Sequence, residues 1–96
     1  MRNLSLSPIN RESAIALARE RTEQIAQAAG DQFEILSDST KEIEQGWVFF
    51  FNTAEFVRTR NPATALAGNG PILVTRHGVI HLLPTAIPWE DALKQI

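Results

Sequence analysis

The sequence predicts an α+β fold in which an N-terminal helix packs on a four-stranded antiparallel sheet. A short helical turn in the 61–67 loop and a short C-terminal helix complete it. Three observations lead there. Alanines and larger apolar residues recur at helical spacing from Ala14 to Ala28. The run Trp47-Val48-Phe49-Phe50-Phe51 is apolar throughout, too short for a helix and rich in side chains that favour strands. Two more apolar runs, 72–75 and 79–83, flank Arg76-His77-Gly78 and read as a tight hairpin.

Each element has a local reason. Asn10 can cap the helix, because its side-chain oxygen can accept from a free amide of the first turn. Ala14, Leu17, Ala18, Arg21, Ile25 and Ala28 then form the inward stripe, to which Arg21 contributes only its stem. Gly30 can take the left-handed conformation that ends a helix. Phe33 and Ile35 suit a strand that begins near Gln32, and the polar run 38–46 reads as the turn into the next strand. In that central strand Trp47, Phe49 and Phe51 share one face, with Val48 and Phe50 on the other. One helix cannot cover both faces. The second must be covered by the C-terminal helix, by the 53–67 segment, by another subunit or by a partner.

Residues 53–60 suit either a short helical turn or an irregular crossing. Asn61-Pro62 is a cap followed by a proline at the first helical position, opening a brief turn through Ala67. In Gly68-Asn69-Gly70-Pro71 at least one glycine is expected at positive φ, because the chain must be re-aimed before the strand that Pro71 opens. Pro84 ends the last strand. Pro88 can open the final helix, which carries Trp89, Ala92, Leu93 and Ile96.

The chain has 96 residues, enough for one domain over 1–96 and for burial of roughly 65% of the unfolded surface. It has no cysteine, which excludes disulfides, thiolate catalysis and cysteine-bound metal. A formal charge of −2 argues against a nucleic-acid-binding surface. No run approaches the ~20 apolar residues of a membrane span, and the first residues lack the apolar core of a signal peptide. A cytoplasmic protein with no membrane partner is expected.

Sites for chemistry are equally scarce. His77 and His81 are the two histidines, and Gly78 puts a turn between them, so a hairpin residue and a sheet residue are expected rather than a metal site. Gly68-Asn69-Gly70-Pro71 resembles a phosphate loop superficially, but Pro71 removes an amide and a strand follows. No nucleophile elbow appears. No catalytic residue, metal or cofactor is expected. Carboxylates gather at Asp31, Glu34, Asp38, Glu42 and Glu44, either as a solvated polar turn or as an acidic patch for a basic partner. The candidate partner-binding residues are Asp38, Glu42 and Glu44 near the first hairpin turn, Arg76 and His77 at the second, and Trp47 on the aromatic strand. If the second sheet face stays uncovered, it could also mediate a homodimer.

The order of these motifs resembles a known family. Ile9 to Ala18, Gly46-Trp47-Val48-Phe49-Phe50-Phe51-Asn52-Thr53 and Leu66-Ala67-Gly68-Asn69-Gly70-Pro71-Ile72-Leu73-Val74 are similar in sequence to the YrhB-like small proteins, also called immunity protein 35. His77-Gly78-Val79-Ile80, Pro84-Thr85-Ala86 and Pro88-Trp89-Glu90 follow in the same order. Two features depart from the pattern: the short Arg76-His77-Gly78 turn, and Trp89 where an acidic or small residue is common. The resemblance implies an immunity protein of a bacterial polymorphic toxin system, which binds and neutralises a cognate toxin domain. It transfers no catalytic residues. The alternative it leaves is a small heat-resistant, chaperone-like stress protein that binds unfolded chains.

Overall fold

The computed structural model describes residues 8–66 and 70–95. Helix α1 (Arg11–Ala29) starts where expected: the Ser13 amide donates to Asn10 Oδ1 at 2.8 Å, and Gly30 closes the helix at φ 69°. Its buried row is Ala14, Ala18, Thr22 and Ala26. This straight i, i+4 line differs from the predicted stripe at its end, because Ala28 is exposed while Thr22 and Ala26 face the sheet. Small side chains along one ridge let the helix axis approach closely. Thr22 is tolerated there because its hydroxyl donates to the Ala18 carbonyl at 2.7 Å. Leu17 and Ile25 flank the row, half-buried against the same core.

The sheet follows from one long hairpin. Strand β1 (Phe33–Ile35) pairs antiparallel with β4 (Phe51–Thr53), and β2 (Lys41–Ile43) pairs with β3 (Gly46–Phe49). Strand β5 (Ile72–Thr75) lies against β3, and β6 (Ile80–Leu82) against β5. The four-stranded order is β2-β3-β5-β6, all antiparallel.

Two strand assignments need correcting. The polar run expected as a turn supplies β2, and Phe33–Ile35 joins a two-stranded ladder with β4 rather than the four-stranded sheet. Ile35 opposes Phe51 and Lys41 opposes Val48, so residues 36–40 stand against Phe49 and Phe50 alone. The excess chain is taken up as a 3-10 turn, Ser37–Ser39, while the Leu36 amide still donates to the Phe50 carbonyl at 2.7 Å. The result is a bulged edge strand. Lys41 and Glu42 gave no apolar signal because both are exposed on the edge strand β2, while Ile43 is half-buried against the second core.

The central run divides its faces as predicted. Trp47, Phe49 and Phe51 join Ala14, Ala18, Ile72 and Val74 under α1. Val48 joins Leu73, Leu83 and Ala92 on the other side, with Phe50, Ile87, Trp89 and Leu93 packed around them. The C-terminal helix α3 (Trp89–Ala92) therefore covers the second face, and the Phe50 and Trp89 rings meet edge to face at 6.2 Å. The second sheet face, offered for a possible homodimer if it stayed uncovered, is covered by the chain itself.

Residues 53–60 resolve as helix α2 (Ala54–Thr59), capped by Thr53 Oγ1, which accepts from the Phe56 amide at 2.9 Å. Asn61 and Pro62 open a 3-10 turn, Pro62–Thr64, with the Ala63 amide donating to Asn61 Oδ1 at 3.1 Å. Asn52 and Thr53 tie this loop beside β4. Leu66 N–H donates to Asn52 Oδ1 at 2.7 Å, and Thr53 Oγ1 donates to the Thr64 carbonyl at 2.8 Å. Ala67, Gly68, Asn69 and Ile96 lie outside the described residues, and with them the roles given to Ala67 and Ile96. Of the two glycines of which at least one was expected at positive φ, Gly70 does not hold it, and Gly68 is not among the described residues. Gly70 has a different reason to be glycine: a Cβ there would collide with the Leu83 carbonyl oxygen, across the contact where Leu83 N–H donates to Pro71 O at 2.9 Å.

Gly46 combines both demands. It sits at φ 153°, and a Cβ would run into the Val74 carbonyl of the neighbouring strand. Gly46→Ala is expected to cost about 1–3 kcal/mol, measured as a lowered urea midpoint with an unchanged denaturant slope.

Candidate functional site

Most of the sequence-predicted residues gather around one side chain. Arg76 follows β5, and its guanidinium reaches back over the first hairpin. Nη1 donates to Glu42 Oε2 at 3.1 Å, Nη2 to the Ile43 carbonyl at 2.6 Å and Nε to the Glu44 carbonyl at 3.3 Å. Its backbone joins in as well: the Arg76 amide donates to Gln45 O at 3.0 Å, and the Ile9 amide donates to Arg76 O at 2.7 Å. Beneath the guanidinium lies the Trp47 ring, with its centroid 4.6 Å from Cζ. A planar, delocalised cation suits this place, since it can stack on an aromatic face while its edge donors satisfy carbonyls.

Glu42, Glu44, Arg76 and His77 thus lie at one end of the sheet. Glu42, Glu44 and His77 are exposed there, and Arg76 is half-buried. Trp47 belongs to the same cluster but is 2% exposed and lies in the core under Arg76, so its ring presents no surface. Its Nε1–H is buried without a hydrogen-bond acceptor. Asp38 stands apart. It sits in the 3-10 turn before β2, whereas Glu44 follows that strand, so the strand separates them. Of the carboxylates, Glu42 alone is in an ion pair with Arg76, and at 54% exposure it contributes no more than about 1 kcal/mol.

Among the described residues no group of three histidine, cysteine or carboxylate side chains could hold a metal ion, and no helix is long and apolar enough to cross a membrane. His81 lies on β6, half-buried, while His77 is in the turn.

A feature that sequence reasoning assembled only in part is a groove of about 770 Å³ between α1 and β1. Arg19, Glu23 and Gln27 line its helix side, and Asp31, Phe33 and Glu34 lie along its strand side. Asp31 and Glu34 stood out as carboxylates. The i, i+4, i+8 polar row beside the alanine ridge was the signal for the rest.

The Arg76 contacts lead to a stability prediction. Arg76→Ala should lower stability by about 1–3 kcal/mol, because it uncovers Trp47 and leaves the Ile43 and Glu44 carbonyls without their donor. Arg76→Lys should recover little, since an ammonium cannot stack and donate in the same fork. Thermal melts of the two variants check this.

Comparison with known proteins follows the same motifs. The sequence pattern of the immunity protein 35 family matches residues 12–95. The uncharacterized protein YrhB of Escherichia coli (strain K12) is 45% identical over 51 residues, which cover 52% of this chain and 54% of YrhB. The chain thus spans about half the length of the curated relative it matches. No solved structure matches. With nearly every described element inside the matched range, from the capped helix to α3, this chain belongs to the immunity protein 35 family.

Proposed function

We propose that this protein binds a cognate bacterial toxin domain and neutralises it, acting in the cytoplasm of the cell that makes both. The observation that carries this reading is the family match over residues 12–95. The gene of that toxin is expected to lie beside the one that encodes this chain. Inhibition is stoichiometric rather than catalytic in this reading. Polar turns built on a rigid sheet supply surface that can vary without disturbing the core.

A second reading draws on β6. Val79 and Leu82 are each 53% exposed beside an open strand edge, and no charged side chain interrupts residues 79–83. A bare apolar edge of this kind could hold unfolded chains weakly, as a chaperone-like stress protein would.

Co-expression separates the two. Cells that make the toxin domain encoded next to this chain should grow when the chain is present and die without it, and the purified pair should form a one-to-one complex. Tight inhibition of this kind buries about 1,200–2,000 Å² in total. Growth that the chain does not rescue, together with suppressed aggregation of unrelated denatured proteins, would favour the chaperone reading.

A further inference from the structure

We infer that the outer edge of β1 receives an extended, basic segment of the toxin as an added strand, laid in the groove beside α1. This rests on the toxin-binding reading above and names the surface that does the binding.

The backbone register sets which groups are available. Leu36 N–H donates to Phe50 O, Ala54 N–H donates to Gln32 O, and Glu34 opposes Asn52. In an antiparallel ladder the bonded positions alternate, so Gln32, Glu34 and Leu36 direct their N–H and C=O groups at β4. Those of Phe33 and Ile35 point the other way. Among the described residues β1 pairs with β4 alone, so these donors and acceptors line an open edge.

The two edges of this small ladder differ. On the far side of β4, the 61–66 loop is bonded to Asn52 and Thr53. On the near side the α1–β1 groove leaves room for a strand, bounded by Arg19, Glu23 and Gln27 of the helix. An added strand would exchange bonds with Phe33 and Ile35 while its side chains met the helix wall. The Ser37–Ser39 turn ends the available edge, and Lys41 and Glu42 guard the strand beyond it.

Charge selects the occupant. Glu23, Asp31 and Glu34 line the groove against the single cation Arg19, so lysine or arginine side chains on the incoming strand find partners. A second copy of this chain is disfavoured, because antiparallel pairing of β1 with itself about Glu34 would set carboxylate against carboxylate. The edge at β6 carries no acidic or basic side chain over residues 79–83 except His81, and so offers no comparable charge selection.

Amide exchange tests this directly, with an inactivated form of the toxin domain encoded beside this gene as the probe. Exchange at Phe33 and Ile35 should slow by about tenfold or more in the complex, while Glu34, already bonded to β4, changes little. Glu34→Lys and Glu23→Lys should each weaken binding about tenfold, more at low salt than at high salt, with circular dichroism unchanged. Glu42→Lys on the other hairpin should bind as the parent does. A complex that forms with unaltered exchange at Phe33 and Ile35, or one weakened by Glu42→Lys and not by Glu34→Lys, overturns the β1 site and leaves toxin binding standing. Failure to form any complex with that domain overturns the toxin-binding reading, and the β1 site with it.

Discussion

Two apolar faces on one strand constrain everything else in this fold. Residues 46–53 run through the middle of the molecule, and Trp47, Phe49 and Phe51 turn to one side while Val48 and Phe50 turn to the other. Neither side can be left in water, since burying one such side chain is worth about 1.5–3 kcal/mol. The long helix answers the first requirement, and its alanine ridge brings it close to rings that already fill the space. The short C-terminal helix answers the second with Trp89, Ala92 and Leu93. The first and last helices of the described residues are thereby committed to the middle.

Much of this was legible in the sequence, for reasons particular to each element. Asn10, Gly30 and the alanine spacing specified α1 because caps and period act locally. The alternation within Trp47-Val48-Phe49-Phe50-Phe51 specified the two cores because the pleat leaves no choice of side. The edge strand was less legible. Lys41 and Glu42 look like turn residues, and their pairing is decided by the length of the opposing strand rather than by their own preferences. The bulge at 37–39 has the same origin: it absorbs a length mismatch that no single residue announces.

The candidate site shows a similar division. Arg76 and Glu42 were identified as residues at two hairpin turns, yet their contact depends on tertiary register and could not be read from either turn alone. Trp47 was read as either core or surface, and the guanidinium above it resolves the matter by acting as its lid. The groove beside β1 is built from a helix flank and a strand edge that are remote from the conspicuous turns. An open backbone edge leaves no trace in composition, since every residue carries the same N–H and C=O. The fold offers rigid faces and, at β1 and β6, open strand margins.

The Arg76 clamp has a kinetic side. Its side-chain bonds to Glu42, Ile43 and Glu44 join residues 32 to 34 positions apart, and its backbone also holds Ile9. Each hairpin can close by itself at small entropic cost, but the clamp can close only after both have formed and docked side by side. It is therefore expected to form late on the folding route, and a φ-value near zero for Arg76→Ala would check this. Such contacts govern how slowly a protein comes apart rather than how quickly it assembles. In a small chain with no disulfide to hold it, the guanidinium over Trp47 would then serve as a latch on the native state's lifetime.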